Sequence, residues 1–247
     1  TFCSRPAAPS ASVHRWVSVS CSSRVIRPSC TVITCTKAAS NRAWEDYEVI
    51  MPWAGPGGWQ PWIGALDAQF RKAGITTPLL PVCALATGSI GITPLDQASG
   101  YATFANSGVH CIPYAVQEIS RGKHVLFEQQ PDCTRVMPAA IANLVNELLK
   151  GPVTYGTAAS VFSSGWGPWP IRGKTGTADL NKELWFAGYT RQVTTAVWVG
   201  SPQTPYEMPD YWGYPVFGGS VAAPIWKNYM LQVMQGMPSI EFPSANL

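Results

Sequence analysis

Three runs of strand-forming residues, at 169–178, 184–190 and 194–200, succeed one another near the C-terminal end of this 247-residue chain. They contain many β-branched and aromatic residues, which are the residues most common in strands. A helix is expected after them, over roughly 220–235, and further helices are expected before them. This order of elements predicts an α+β fold with an antiparallel sheet towards the C-terminus, flanked by helices.

Two helices in the first half of the chain are indicated by their ends. One is expected over 63–73. The second begins after Thr93, a good N-cap residue, with Pro94 at the first helical position and Asp96 at the third position of a capping box. Gly108 is expected to close this helix, because glycine readily adopts the left-handed conformation that ends helices.

A hairpin and a further helix are predicted between these two helices and the strands. Residues 114–129 are expected to form the hairpin, with Gly122 in the turn. The helix after it is expected to end at Gly151 and Pro152. Its apolar residues follow the helical period and define the expected buried face: Ile141, Leu144, Val145, Leu148 and Leu149.

Charge is distributed unevenly along the chain. Residues 1–44 hold six basic residues and no acidic ones, and the rest of the chain carries a small acidic excess within an overall charge of +3. The basic segment lacks the aromatic or glycine residues of an RNA-binding module, so no nucleic-acid partner is expected. No run approaches the ~18–20 apolar residues of a membrane-spanning helix, and no signal peptide is recognised.

The composition changes abruptly at Trp44. Residues 1–43 contain nine serines, five arginines and four cysteines without an amphipathic period, whereas the chain from Trp44 onward alternates ordered elements and turns. We therefore divide the chain into an anomalous segment over 1–43, a main domain over 44–237 and a short tail over 238–247.

Cysteine spacing predicts no metal site. The seven cysteines contain no C-x-x-C pair, so a structural zinc ion is not expected. Cys111 and Cys133 flank the predicted hairpin and are placed to meet across its base. Spacing alone leaves open whether they form a disulfide or are two unrelated small hydrophobic residues. Phosphate-loop and H-E-x-x-H motifs do not occur either, and no cofactor is expected.

The segment Lys174-Thr175-Gly176-Thr177 is the sharpest candidate for a functional site. On a strand, Thr175 and Thr177 share one face, and two hydroxyls near an ammonium group suit a carboxylate. Gly176 lets a ligand or a helix approach the backbone closely. At a sheet edge, the N–H groups of the segment would be available to a peptide-like ligand or to a developing oxyanion. The alternative is an ordinary, turn-rich strand end.

The surrounding sequence places this segment in a longer pattern. The run ITPLDQASGYATFANSGVH precedes it, and LWFAGYT, TAVWVG and GGSVAAPIWKNYM follow it in that order. Over about residues 63–236, the pattern resembles the transpeptidase domain of class A penicillin-binding proteins. The resemblance implies the penicillin-binding protein/β-lactamase-like fold, here incomplete, and a serine D,D-transpeptidase that cross-links peptidoglycan on the outer side of the cytoplasmic membrane.

The resemblance also implies roles for the four residues of the segment. Lys174 would assist electrostatics and proton transfer near the serine of an S-x-N motif. Thr175 and Thr177, with Gly176 between them, would bind the carboxylate of a D-Ala-D-Ala stem peptide or of a β-lactam. The backbone N–H of Thr177 would supply half of the oxyanion hole.

Two further expectations come from the resemblance. Actinobacterial members of the family have a similar cysteine pair, which implies a disulfide between Cys111 and Cys133. The family also implies a membrane association through an upstream anchor that this chain does not contain, and stem peptides and β-lactams as its partners.

The nucleophile of the family is not identifiable in this chain. The only Ser-x-x-Lys is Ser120–Lys123, in the predicted hairpin turn, and the only Ser-x-Asn is Ser244–Asn246 at the C-terminal end. Neither is expected to be catalytic. We therefore interpret the chain as a fragment whose residues 1–43 are not native family sequence, and whether the chain is an enzyme by itself stays open.

Two alternative functions remain. The chain could be a non-catalytic module that binds stem peptides or glycan, for which its tryptophans, such as Trp166 and Trp169, would offer stacking surfaces. It could instead be a D,D-carboxypeptidase or β-lactamase relative, in which water replaces the acceptor amine.

Overall fold

The computed structural model describes residues 31–32, 60–80, 85, 88, 90–204, 206–208, 210 and 213–245. Its helices are α1 (Gln60–Lys72), α2 (Pro94–Ala105), α3 (Ala139–Leu148), α4 (Gly151–Thr154), α5 (Ala159–Phe162) and α6 (Ala222–Val233). Its strands are β1 (Thr31–Val32), β2 (Val109–Cys111), β3 (Glu118–Arg121), β4 (His124–Glu128), β5 (Cys133–Arg135), β6 (Arg172–Thr177), β7 (Glu183–Tyr189) and β8 (Thr194–Gly200). The predicted α+β class is confirmed.

Among the described residues, the main sheet has four strands in the order β1-β8-β7-β6. The pairs β6–β7 and β7–β8 are antiparallel, and the short β1 runs parallel to β8. Lys174 of β6 lies opposite Ala187 of β7, which in turn lies opposite Ala196 of β8. The three strands expected from sequence are therefore confirmed, within a few residues at their ends.

Helices cover both faces of this sheet. On one face, Ala98 of α2 packs against Trp185, Ala187 and Ala196. On the other face, Trp226 of α6 is fully buried, and its indole N–H lies 2.9 Å from the carbonyl oxygen of Thr195. Burying these apolar surfaces against the sheet is the main source of stability in such a layered arrangement.

The N-terminus of α2 differs from the predicted capping box in one respect. The Thr93 hydroxyl accepts a hydrogen bond from the Asp96 N–H, at 3.1 Å, as expected. The Asp96 carboxylate does not reach back to Thr93, however. It accepts hydrogen bonds from the backbone N–H and the hydroxyl of both Thr76 and Thr77, at 2.5–3.0 Å. Four donors on a neighbouring segment outcompete the single N–H of the N-cap residue, so Asp96 joins the segment after α1 to α2.

The predicted hairpin is confirmed. Strands β3 and β4 pair antiparallel, and Gly122 in the turn has a φ of +62°, which glycine adopts without strain. Beneath it, β2 pairs with β5, and Cys111 lies opposite Cys133. A disulfide joins these two residues at the base of the hairpin.

Helix α3 forms as expected, but its apolar face is only partly covered. The side chains of Ile141 and Leu148 are 52% and 69% exposed. The buried residues of α3 include Ala142 and the polar Asn146. The Asn146 side-chain N–H donates to the carbonyl oxygen of Phe104, and its side-chain oxygen accepts a hydrogen bond from the Tyr189 hydroxyl. A polar contact with α2 and β7 thus sets the orientation of α3, which the periodicity of apolar residues did not predict.

The segment predicted as a tail, 238–247, packs onto the domain as far as it is described. Phe242 is buried, with its ring 5.7 Å from the ring of Tyr189. The guanidinium of Arg172 lies over the ring of Phe242, 4.4 Å from its centroid. The boundary proposed at residue 43 lies outside the described residues.

Two tryptophans considered as sugar-stacking residues are half-buried and pack against the core. Trp166 and Trp169 pack against the core that surrounds Trp226, and their indole N–H groups donate to the carbonyl oxygens of Trp169 and Met237, respectively. Within the described part of the chain, no helix has the length and apolar character needed to cross a membrane.

Candidate functional site

Strand β6, which carries the KTGT segment (174–177), lies at the edge of the main sheet as the structure describes it. Its inner side pairs with β7 along its whole length, from Arg172 opposite Tyr189 to Thr177 opposite Leu184. Its outer side has no strand partner among the described residues. An edge strand presents backbone donors and acceptors that an extended peptide can pair with.

The direction of these backbone groups follows from the hydrogen bonds at both ends of the strand. The Ala178 N–H donates to the Glu183 carbonyl oxygen of β7 at 2.9 Å, whereas the Gly173 N–H donates outward to the Leu149 carbonyl oxygen at 3.0 Å. In an antiparallel pair the direction alternates from residue to residue. The N–H groups of Thr175 and Thr177 therefore point away from β7, to the outer edge.

The two threonine side chains share one face of the sheet, as the two-residue period requires. The Thr175 hydroxyl lies 2.5 Å from the Thr157 hydroxyl, and the Thr177 hydroxyl accepts a hydrogen bond from the Gly218 N–H at 3.1 Å. Both contacts come from segments that flank β6 on the α6 side of the sheet. The two-residue period of a strand predicted that the two hydroxyls share a face, but nothing in the sequence indicated the contacts with Thr157 and Gly218.

Lys174 and Gly176 belong to the opposite face of the strand, which α2 covers. The ammonium group of Lys174 turns to the edge and donates to the carbonyl oxygen of Thr175 at 2.9 Å. Its side chain is exposed, and within the described part of the chain it forms no ion pair. The hydroxyls and the ammonium group thus lie on different faces of β6, and an anion would contact both only along the edge between them.

A cavity of about 530 Å³ adjoins this edge. Lys174, Thr175 and Gly176 form one wall, and Trp185 and Tyr101 contribute to it from β7 and α2. Burial raises the pKa of Tyr101 to about 12, so its phenol keeps its proton at physiological pH. The remaining wall is largely apolar and comes from α1 and the segment after it: Phe70, Ile75, Leu79, Leu85, Ile90 and Ile92.

Glycines allow a second segment to press against the strand. A Cβ atom on Gly218 would overlap the carbonyl oxygens of Gly176 and Trp185, and one on Gly219 would overlap the carbonyl oxygen of Thr157. The loop before α6 therefore lies directly on β6 and on the turn that contains Thr157. This close packing holds Thr157 beside the Thr175 hydroxyl and the Gly218 N–H beside the Thr177 hydroxyl.

The serine motifs found in the sequence lie elsewhere. Ser120 is exposed in the β3–β4 hairpin, a separate two-stranded sheet, and does not line the cavity. Ser244 follows the buried Phe242 and does not line it either. Among the described residues, no group of three or more His, Cys, Asp or Glu side chains is arranged to hold a metal ion.

A comparison with known protein families identifies the domain. The sequence profile of the penicillin-binding protein transpeptidase domain matches residues 65–231. The chain belongs to this family. The resemblance to the transpeptidase domain of class A penicillin-binding proteins, seen in the sequence motifs, is thereby confirmed.

Individual members of the family are also similar to this chain. Penicillin-binding protein 1A of Aquifex aeolicus is 34% identical over 175 residues, which cover 70% of this chain and 23% of that protein. The protein of the same name from Neisseria lactamica is 32% identical over 183 residues, 71% of this chain and 22% of its own length. The chain thus spans about a quarter of the length of these relatives.

Solved structures agree with the transpeptidase fold. The penicillin-binding protein PonA1 from Mycobacterium tuberculosis superposes with a TM-score of 0.66 at 27% identity, over 81% of this chain and 56% of that one. A structure of PonA1 in complex with penicillin V matches equally well. Penicillin-binding protein 1A from Haemophilus influenzae shares the fold at 20% identity, with a TM-score of 0.66.

Proposed function

We propose that this chain forms the substrate-binding side of a serine D,D-transpeptidase, and that the outer edge of β6 binds the terminal carboxylate of a D-Ala-D-Ala stem peptide or of a β-lactam. The observation that carries the proposal is the outward direction of the Thr175 and Thr177 N–H groups on an edge strand. The exposed ammonium group of Lys174, which has no ion pair in the described part of the chain, supplies the positive charge that a carboxylate requires.

Each residue of the segment has a distinct role in this proposal. The ammonium group of Lys174 attracts the carboxylate and stabilises negative charge during proton transfer, and charge-assisted hydrogen bonds are about twice as strong as neutral ones. The Thr175 and Thr177 hydroxyls donate to the carboxylate. The Thr177 N–H donates to the oxyanion that develops on the carbonyl under attack. Gly176, with no side chain, leaves the cavity side of the strand open to the ligand.

The reaction itself needs a serine that we do not assign to any described residue. Its hydroxyl would attack the carbonyl of the penultimate D-Ala and form an ester, and the terminal D-Ala would leave with the proton as a free amino acid. An amine of a second stem peptide would then displace the serine and form the cross-link. A β-lactam would acylate the same serine. We place this chemistry at the outer face of the cytoplasmic membrane, where peptidoglycan is assembled.

Backbone NMR of the uniformly ¹⁵N-labelled chain, titrated with N-acetyl-D-alanyl-D-alanine, tests the binding step. We expect the Thr175 and Thr177 amide signals to shift and saturate. Lys174→Met should weaken binding by at least about tenfold, since a charge-assisted hydrogen bond contributes ~1.5–3 kcal/mol. Lys123→Met is the matched control, because Lys123 is an equally exposed lysine in the separate β3–β4 hairpin.

Equal affinity of the wild-type chain and of Lys174→Met for N-acetyl-D-alanyl-D-alanine would refute the proposal.

Intact-mass measurement after incubation with penicillin V tests the assignment of the nucleophile. We expect no adduct, because the only Ser-x-x-Lys lies in the exposed hairpin turn. A covalent adduct would show that a serine of this chain is the nucleophile.

A further inference from the structure

Among the described residues, the shortest side-chain hydrogen bond of the KTGT segment is with a residue outside it. Thr175 is 9% exposed, and its hydroxyl oxygen lies 2.5 Å from that of Thr157. Thr157 lies in the turn between α4 and α5, 18 positions before Thr175 in the sequence. The side chain of Thr157 is exposed, so this contact is not a by-product of core packing.

The direction of this hydrogen bond decides whether Thr175 has a proton left for a ligand. A threonine hydroxyl has one proton to donate and two lone pairs to accept with. The Gly218 N–H can only donate, so the Thr177 hydroxyl accepts from it and keeps its own proton for a ligand. Either hydroxyl of the Thr157–Thr175 pair can be the donor. Thr175 keeps its proton for a ligand only when Thr157 donates to it.

We propose that Thr157 is a positioning residue that donates its hydroxyl proton to Thr175 and thereby commits Thr175 to donate to the ligand carboxylate. The proposal rests on the proposed function, because it assigns the ligand of Thr175 to the carboxylate of the stem peptide. With Thr157 in place, both threonine hydroxyls can donate to a carboxylate at the edge of β6, together with the Lys174 ammonium group and the Thr177 N–H. Hydrogen bonds arranged in such a chain strengthen one another.

The turn that carries Thr157 is held rigidly enough for this role. Its backbone is closed by hydrogen bonds from the Gly156 N–H to the Gly151 carbonyl oxygen, at 3.0 Å, and from the Ala158 N–H to the Pro152 carbonyl oxygen, at 2.9 Å. Gly219 packs against the carbonyl oxygen of Thr157 with no room for a side chain. The same loop therefore orients Thr177 directly and Thr175 through Thr157.

A Thr175 hydroxyl that is held as a donor predicts discrimination between a carboxylate and a carboxamide. A carboxylate accepts at both oxygens, whereas the NH₂ group of a carboxamide only donates and is a poor partner for a hydroxyl whose proton points at the ligand. Without the Thr157 hydroxyl, Thr175 could rotate and accept from that NH₂ group. Loss of Thr157 should therefore reduce the preference for the acid rather than abolish binding.

The experiment compares N-acetyl-D-alanyl-D-alanine with its C-terminal carboxamide by NMR titration of the full chain. We expect Thr157→Val, which keeps the shape of the side chain, to lower the acid-to-amide affinity ratio about fivefold, as expected for one net hydrogen bond. Thr157→Ser should restore the ratio. Thr154→Val is the matched control, because the Thr154 hydroxyl donates to the carbonyl oxygens of Lys150 and Gly151, at the start of its own helix.

Three outcomes would contradict the proposal in distinguishable ways. If Thr175→Val lowers the ratio and Thr157→Val does not, the role of Thr157 is overturned and the proposed function stands. If Thr157→Val weakens the binding of both ligands equally, Thr157 only supports the fold, and its proposed role in orienting the Thr175 hydroxyl is again overturned. If the wild-type chain shows no preference for the acid, the proposed function fails, and the role of Thr157 fails with it.

Discussion

Gly218 lies so close to Gly176 that a Cβ atom on Gly218 would overlap the Gly176 carbonyl oxygen. The same atom would overlap the carbonyl oxygen of Trp185 on the neighbouring strand. Both obstacles are backbone atoms inside a paired sheet, which cannot move aside as the end of a flexible side chain can. The loop before α6 is therefore in direct contact with the strand that carries the candidate site.

Substitution of Gly218 by alanine should consequently destabilise the protein and disturb the site together. We expect Gly218→Ala to lower the free energy of unfolding by about 2 kcal/mol, typical of an overpacked interior. Chemical denaturation measures this, and the Thr177 amide signal should shift because its hydroxyl loses the Gly218 N–H. Gly64→Ala is the control: Gly64 lies in α1 with nothing near its Cβ position, and alanine there should stabilise by about 0.5–1 kcal/mol. Equal stability of the two variants would contradict the contact.

The elements defined by local signals could be predicted from the sequence. Strand β8 coincides with the predicted 194–200, and α6 at Ala222–Val233 lies within the predicted 220–235. The hairpin turns at Gly122 as expected. The signals are the β-branched residues of β8, the helical period of α6 and the glycine of the hairpin turn, so in each case the information lies within a dozen residues.

The contacts that could not be predicted join segments far apart in the chain. Asp96 was assigned to the N-terminus of its own helix, yet its carboxylate binds Thr76 and Thr77, about 20 residues earlier. Thr157 precedes the KTGT segment in the sequence and Gly218 follows it, yet both form hydrogen bonds with its threonines. Spacing identifies which side chains of one strand share a face, but not which loop is packed on that face.

The disulfide between Cys111 and Cys133 should make the stability of the protein sensitive to reductant. The two residues are separated by 22 positions, and closing a loop of this length lowers the entropy of the unfolded chain enough to stabilise the fold by about 3 kcal/mol. We expect the urea midpoint of the wild-type chain to fall when a phosphine reductant is added. The double variant Cys111→Ser/Cys133→Ser should have the lower midpoint with or without reductant. A wild-type midpoint that reductant does not change would exclude the disulfide.

Phe242 should contribute to stability although it lies in the segment predicted as a tail. Its ring packs on Tyr189 and is covered by the Arg172 guanidinium. We expect Phe242→Ala to lower the free energy of unfolding by about 3 kcal/mol, the usual cost of removing a buried aromatic ring. Tyr214→Ala is the control, because Tyr214 is 75% exposed, and its loss should change stability by less than about 0.5 kcal/mol. Similar denaturation curves for the two variants would show that the segment is not part of the folded domain.

His110 should make the protein less stable in mild acid. Its ring packs against the backbone of Gly74, where a Cβ atom would overlap it, and its Nδ1 lies 3.4 Å from the Thr103 hydroxyl. Burial lowers the pKa of His110, and the negative charge of Asp132 opposes this shift. The unfolded chain therefore takes up a proton at His110 more readily than the folded protein. The stability that neutral His110 provides is complete above about pH 6.5, the usual histidine pKa, and is lost as the pH falls below that value.

Urea denaturation at a series of pH values between about 7.5 and 5.5 measures this loss. We expect His110→Gln to remove part of the decline in the free energy of unfolding, since glutamine does not titrate. His124→Gln is the matched control, because His124 is exposed in β4 and its replacement should leave the wild-type decline intact. If His110→Gln and His124→Gln follow the same pH dependence as the wild-type chain, His110 is not the group that couples protonation to folding.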